Sequence, residues 1–65
     1  MKPDMIVYTW KNLGSLMLQE QIYNNNIKRE DFDEAFRMIA EDTTLSDHMK
    51  MWAKRDYERL LYRFK

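Results

Sequence analysis

Few side chains of this 65-residue sequence are suited to catalysis, and those few are poorly placed. Hydrolytic nucleophiles need a Ser or Cys beside a base, and the chain offers only Ser15, Ser46 and one histidine, His48, with no cysteine. Ser46 and His48 are two residues apart, so a helix would direct their side chains to different sides. Ser46 is better explained as a residue that starts a helix. We therefore expect a protein that is not an enzyme and has no small-molecule substrate.

Metal and cofactor sites also find little support in the sequence. The acidic run from Glu30 to Glu34 lacks the central glycine and alternating oxygen ligands of a calcium loop, and Phe32 indicates a helix with a solvated first turn. The absence of cysteine argues against a zinc site. The single glycine, Gly14, does not make a Gly-rich phosphate-binding loop. The sequence therefore predicts no metal and no cofactor.

Asp56 is a charged residue in an otherwise apolar arc, between Trp52 and Leu60 on a helical wheel. A carboxylate there is costly unless it is hydrogen-bonded or ion-paired. It could pair with Arg59, three residues on, or with Lys11 of another helix, at the edge of the core. Alternatively, the arc is open at this point and Asp56 meets a basic group of a partner. The sequence leaves both explanations open.

Surplus apolar residues on each of the predicted helices indicate an interface with another protein. Single exposed apolar side chains are normal on protein surfaces, but here all three predicted helices carry more of them than is usual. The chain also has six methionines, which make adaptable contact surfaces. The residues expected to contact the partner on the last helix are His48, Met51, Arg55, Asp56, Arg59, Tyr62 and Arg63. A second apolar patch is predicted on the first helix, at Val7, Leu18 and Ile22.

The favoured function is that of a small interaction module, a regulator or inhibitor that binds a partner protein, forms a homodimer, or does both. Stand-alone chains of this size without catalytic groups are frequent among phage and mobile-element regulators. The alternative is a DNA-binding transcriptional regulator that places its basic, aromatic last helix in a groove of DNA. Against DNA binding, the net charge is zero, and no Asn, Gln or Ser follows Ser46 to contact bases.

A long amphipathic helix from Thr44 to Phe64 must position most of these side chains. Such a helix is not stable alone in water, so the upstream chain must bury its apolar arc. The residues of this arc are Leu45, Met49, Trp52, Ala53, Leu60 and Phe64, with Tyr57 and Leu61 at the margin.

Two further helices are predicted upstream. In the segment IKREDFDEAFRMIAED, carboxylates in the first turns suit the positive end of a helix dipole, which predicts a helix over about 29–41. Residues 4–23 are predicted to form the first helix, which ends at the asparagines 24–26. The minor alternative is a strand at residues 5–10, where Ile, Val, Tyr, Thr and Trp favour one. The expected fold is an all-α, three-helix single domain over residues 1–65.

The charges of the chain balance overall but are unevenly distributed. Residues 28–47 carry seven acidic and three basic side chains, whereas residues 48–65 carry two acidic and six basic ones. The first residues have neither the apolar core nor the cleavage site of a signal peptide, and no window approaches the ~18 apolar residues of a membrane span. We expect a soluble, cytoplasmic protein. Without disulfides, so small a core needs tight helix packing or self-association.

Overall fold

The computed structural model describes residues 1–24 and 27–64, which form four α-helices and one 3-10 helix. The elements are α1 (Pro3–Asn12), α2 (Ser15–Asn24), α3 (Arg29–Glu41), α4 (Asp47–Leu60) and the 3-10 helix (Leu61–Phe64). The described residues contain no strand, so the predicted all-α fold is confirmed. Residues 5–10 lie within α1, and the alternative of a strand there is wrong. None of the helices in the described ranges has the length and apolar character needed to cross a membrane.

The predicted first helix is in fact two helices, because the chain turns at Leu13 and Gly14. Gly14 has a φ of +91°, a left-handed conformation that glycine adopts without the steric cost of a side chain. The N–H groups of Leu13 and Gly14 both donate to the Thr9 carbonyl, at 2.8 and 3.1 Å, and end α1. The Gly14 carbonyl then accepts from the Leu18 N–H at 3.2 Å and starts α2. The prediction of three helices is therefore wrong in number.

The remaining helix boundaries lie close to the predicted ones. α2 ends at Asn24, where the asparagine break was expected to begin; Asn25 and Asn26 lie outside the described residues. α3 spans the predicted range, 29–41. At the start of α4, Ser46 Oγ accepts a hydrogen bond from the Met49 N–H at 3.2 Å, which confirms that Ser46 starts a helix. The predicted long last helix is thus α4 followed by a tighter 3-10 turn.

The core is organised around Phe32, whose side chain is fully buried on α3. Its ring stacks on Trp10 of α1 with 5.2 Å between ring centroids, on Tyr57 of α4 at 5.2 Å, and on Phe64 of the 3-10 helix at 5.1 Å. Phe36, one turn along α3, stacks on Tyr57 at 4.3 Å. Aromatic pairs in this range contribute about 0.5–1.5 kcal/mol each beyond their buried area. Three elements of the chain therefore converge on one face of α3.

A hydrogen bond at the edge of this aromatic cluster joins α3 to α4. The Tyr57 hydroxyl donates to Asp33 Oδ1 at 2.7 Å. This bond to a carboxylate, reinforced by partial burial and by the negative charge of Asp33, raises the pKa of Tyr57 above its ordinary value. Arg29 lies beside the same carboxylate, with 3.7 Å between Arg29 Nε and Asp33 Oδ2. Tyr57 is therefore held in its neutral, hydrogen-bond-donating form.

Candidate functional site

An open apolar groove lies beside the α1–α2 turn and is closed below by α3 and α4. Its volume is about 460 Å³, within the range of about 300–1,000 Å³ typical of ligand pockets. The buried side chains of Trp10, Ile39 and Ala53 form its floor. The other apolar residues that line it are Leu45, Met49 and Trp52, and the remaining lining residues are Lys11, Gly14, Ser15, His48 and Asp56.

Trp52 and Met49 on the wall of the groove are exposed, which corrects their predicted place in the packed arc of the last helix. The Trp52 side chain is 61% exposed and that of Met49 44%. Further along the same arc, Ala53 and Leu60 are buried as predicted. The upstream helices therefore cover the end of α4 but not its first turns. Trp52 is therefore the largest exposed apolar side chain that lines the groove.

A hydrogen bond within α4 holds the Trp52 indole in place. Trp52 Nε1 donates to His48 Nε2 at 2.9 Å, and the two rings are tilted by 54° with 5.8 Å between their centroids. The two residues are four apart, the spacing at which helical side chains meet. His48, predicted as a partner-contacting residue on a solvated flank, thus lines the groove and orients its largest side chain.

Asp56 is paired within the chain, as the first of its two explanations predicted. Its Oδ2 accepts a hydrogen bond from Trp10 Nε1 at 3.3 Å, and its Oδ1 lies 3.0 Å from Arg59. The Asp56 side chain is 18% exposed, at the edge of the core. Lys11, the other partner considered for it, instead pairs with Asp42 at 3.4 Å. Asp56 therefore joins the floor of the groove to its basic side.

A second, smaller cavity of about 380 Å³ extends the groove along α4. It is lined by Trp52, Arg55, Asp56 and Arg59, and so shares two residues with the groove. Arg59 is bound to Asp56, whereas Arg55 forms no ion pair with any residue in the described ranges. The groove therefore continues into a basic end at which one guanidinium group remains available.

The other predicted contact residues of the last helix lie outside both cavities. The Arg63 guanidinium stacks on the ring of Tyr23 of α2 at 4.8 Å and on that of Tyr62 at 5.0 Å. Through the cation–π contact with Tyr23, Arg63 joins the 3-10 helix to α2. Met51 and Tyr62 are about half exposed. The structure thus places His48, Arg55, Asp56 and Arg59 along the two cavities, and leaves Met51, Tyr62 and Arg63 outside them.

The predicted second apolar patch on the first helix does not exist as an exposed surface. Leu18 and Ile22 of α2 are buried in the core, and Val7 of α1 packs partly buried against it. The physical reason is the turn at Gly14, which folds α2 back so that its apolar face meets the rest of the domain. Leu18 and Ile22 therefore stabilise the fold and are not available to a partner.

Comparison with known proteins adds no functional information. No family model, curated protein or solved structure matches the chain. The described residues also contain no group of three or more His, Cys, Asp or Glu side chains that could hold a metal ion. The candidate site therefore rests on the geometry of the groove.

The residues that sequence reasoning missed are the apolar lining of the groove, above all Trp52 and Met49. They were assigned to the core because they share the arc of Ala53 and Leu60. A signal was present in Gly14, because a glycine directly after Asn12 and Leu13 is typical of a helix end. This signal predicts two helices over residues 4–23 in place of one.

Proposed function

We propose that the protein is a non-enzymatic interaction module that regulates or inhibits a partner protein by binding it in the groove. The observation that carries this proposal is the exposure of Trp52 on the wall of an apolar groove. Covering apolar surface contributes roughly 25 cal/mol per Å², so an exposed indole beside a recess is a large source of binding free energy. Tryptophan is also among the residue types that most often dominate protein interfaces.

The surroundings of Trp52 give further support to protein binding. Met49 and Leu45 extend the apolar wall, and methionine adapts its shape to a partner. The hydrogen bond to His48 restricts the indole before any partner arrives, so less conformational entropy is lost on binding. The rim carries Lys11, Ser15 and His48, in keeping with the apolar centre and polar rim of protein interfaces.

A display library of natural protein fragments, selected on the intact chain, tests the proposal. We expect ligands whose affinity falls at least tenfold when Trp52 is replaced by alanine. Tyr8→Ala is the matched control, because Tyr8 is an aromatic residue exposed to a similar degree that lines neither cavity. Circular dichroism should find both variants as helical as the wild type. If the selection yields no ligand that depends on Trp52, the groove is not a binding site and the proposal is wrong.

DNA binding is the second candidate, supported by the exposed cations Lys54 and Arg55 on α4. It has less support than protein binding, because Arg59 is bound to Asp56 and Arg63 is stacked on Tyr23. Affinity for random duplex DNA that is measurable at low salt and falls steeply as salt rises would favour it. Absence of such binding would reject it.

A further inference from the structure

We infer that the occupant of the groove is an amphipathic helix of another protein, with an acidic residue beside its apolar stripe that pairs with Arg55. This inference rests on the proposed function and specifies the chemistry of the partner. It is carried by three features of the groove: the two indole N–H groups that are already hydrogen-bonded, the length of the groove along α4, and the guanidinium group of Arg55, which forms no ion pair with the described residues.

The groove offers few hydrogen-bond donors to an extended peptide. The Trp10 indole N–H is bound to Asp56, and the Trp52 indole N–H is bound to His48. The Lys11 ammonium group, on the rim, is paired with Asp42. The backbone C=O groups of an extended peptide would therefore find neither indole N–H group free to donate to them. A helix satisfies those groups internally and presents only side chains, as in other helix-in-groove complexes.

The length of the groove also fits a helix. Its lining runs along the chain from Leu45 to Asp56, and the α4 part of it, His48 to Asp56, rises about 12 Å at 1.5 Å per residue. Apolar side chains at positions i, i+4 and i+7 of a partner helix span about 10.5 Å. The groove therefore has room for two or three such anchors from two turns of helix. The elements that border it are all helical, so it has no strand edge to which a partner could add a strand.

The charge of the groove predicts the acidic residue. Arg55 and Arg59 are four residues apart on α4, a spacing at which like charges repel. Asp56 neutralises Arg59 but leaves Arg55 without an ion pair among the described residues. Arg55 lies at the end of the groove beyond Trp52, so the carboxylate belongs at one end of the partner's apolar stripe. A bidentate Arg–carboxylate contact would fix the direction in which the partner helix lies.

A second copy of this chain is a poorer occupant. A two-fold axis close to Arg55 would bring this residue of one copy near the same residue of the other, which is unfavourable. Most acidic side chains of the chain lie between residues 30 and 47, from α3 to the start of α4, and one of them, Asp33, is bound to Tyr57. A contact between these side chains and the groove would join unlike surfaces, and such contacts form open chains unless the rotation closes.

Two peptide libraries displayed in parallel test the inference: one on a helical scaffold with a single randomised face, the other extended and rich in proline. Both are selected on the intact wild-type chain, and binders that survive Trp52→Ala are subtracted. We expect enrichment only from the helical library, with apolar residues at i, i+3 or i+4 and i+7 and an Asp or Glu at one end. Enrichment of extended peptides that depend on Trp52 would overturn the inference and leave the proposed function standing.

Charge reversal then tests the ion pair. Arg55→Glu should weaken the selected peptides at least tenfold, and a peptide whose acidic residue is changed to lysine should recover most of that loss. Lys54→Glu is the matched control, since it makes the same change in net charge one residue away and lines neither cavity. Equal losses for Arg55→Glu and Lys54→Glu would overturn the specific pairing.

Two further outcomes separate this inference from the proposed function. If no peptide from either library depends on Trp52, the inference and the proposed function fail together. If sedimentation of the wild type finds a dimer that Trp52→Ala dissociates, a second copy occupies the groove and the inference alone is overturned.

Discussion

The Trp10 indole nitrogen lies 3.3 Å from Asp56 Oδ2, so a side chain stacked on the central Phe32 is hydrogen-bonded to the one carboxylate that lines the groove. This bond joins α1 to α4. The bond explains why a carboxylate stands in an apolar arc. It also fixes the position of Trp10, which forms part of the groove floor and packs on Phe32 in the core.

The Trp10–Asp56 bond predicts that Asp56→Ala destabilises the domain. The substitution leaves the indole N–H without its acceptor, at a cost of about 1–3 kcal/mol in the free energy of unfolding. Asp56→Asn keeps a side-chain oxygen and should cost less. Arg59→Ala removes only the exposed partner and should cost under about 1 kcal/mol. Urea denaturation followed by circular dichroism measures all three, and equal losses for Asp56→Ala and Arg59→Ala would contradict the structure.

The two tryptophans should differ sharply in their effect on stability. Trp10→Ala empties part of the buried aromatic cluster and should lower the free energy of unfolding by about 3–5 kcal/mol. Trp52→Ala removes a side chain that is mostly in water and should change it by less than about 1 kcal/mol. Thermal unfolding of both variants provides the measurement. A large loss for Trp52→Ala would mean that this indole belongs to the core after all.

Gly14→Ala has an effect whose sign separates the observed turn from the predicted continuous helix. At a φ of +91°, alanine pays a backbone penalty of about 1–2 kcal/mol, although a Cβ there would meet no atom within 4 Å. In the middle of a continuous helix, the same change would stabilise by about 1 kcal/mol. Gly14→Asn should cost less than Gly14→Ala, since asparagine tolerates left-handed geometry better. Chemical denaturation decides between the two signs.

Tyr57→Phe should reduce stability in a way that depends on pH. The bond to Asp33 contributes about 1 kcal/mol. Because the pKa of Tyr57 is raised in the folded state, this contribution is complete below the ordinary tyrosine pKa of about 10 and is lost as the pH rises through the folded value. The difference between wild type and variant should thus be constant from neutral pH to about pH 10 and shrink above it. Tyr8→Phe is the control, since the Tyr8 hydroxyl makes no hydrogen bond with the described residues, and a pH-independent difference for Tyr57→Phe would contradict this assignment.

α3 could be predicted from local sequence because the charge of its first turns and the periodicity of its apolar residues agree. Carboxylates fill its first turns, and Phe32, Ala35 and Ile39 recur on one face, all of them buried in the structure. When propensity, charge and periodicity agree in this way, they all favour the same local structure, a helix. The pairing of Asp56 with Arg59 was one of the alternatives that the sequence offered, since both residues lie on one helix three positions apart.

The groove could not be predicted because it depends on how far one helix extends along another. A helical wheel gives the angular position of Trp52 around α4, but it does not show whether another helix packs over this residue. A continuous first helix of twenty residues would be about 30 Å long, whereas the ten residues of α1 extend about 15 Å. The turn at Gly14 also changes which residues border α4, since Gly14 and Ser15 line the groove together with Trp52.

The stacking of Phe32 on both Trp10 and Phe64 has a consequence for synthesis of the protein. The ring is made early, but one of its stacking partners comes from much later in the chain. A nascent chain that has not yet released Phe64 from the ribosome therefore carries an incomplete core with apolar surface open to chaperones. Completion of the aromatic cluster should therefore be a late event in folding, because it joins residues that are far apart in the sequence.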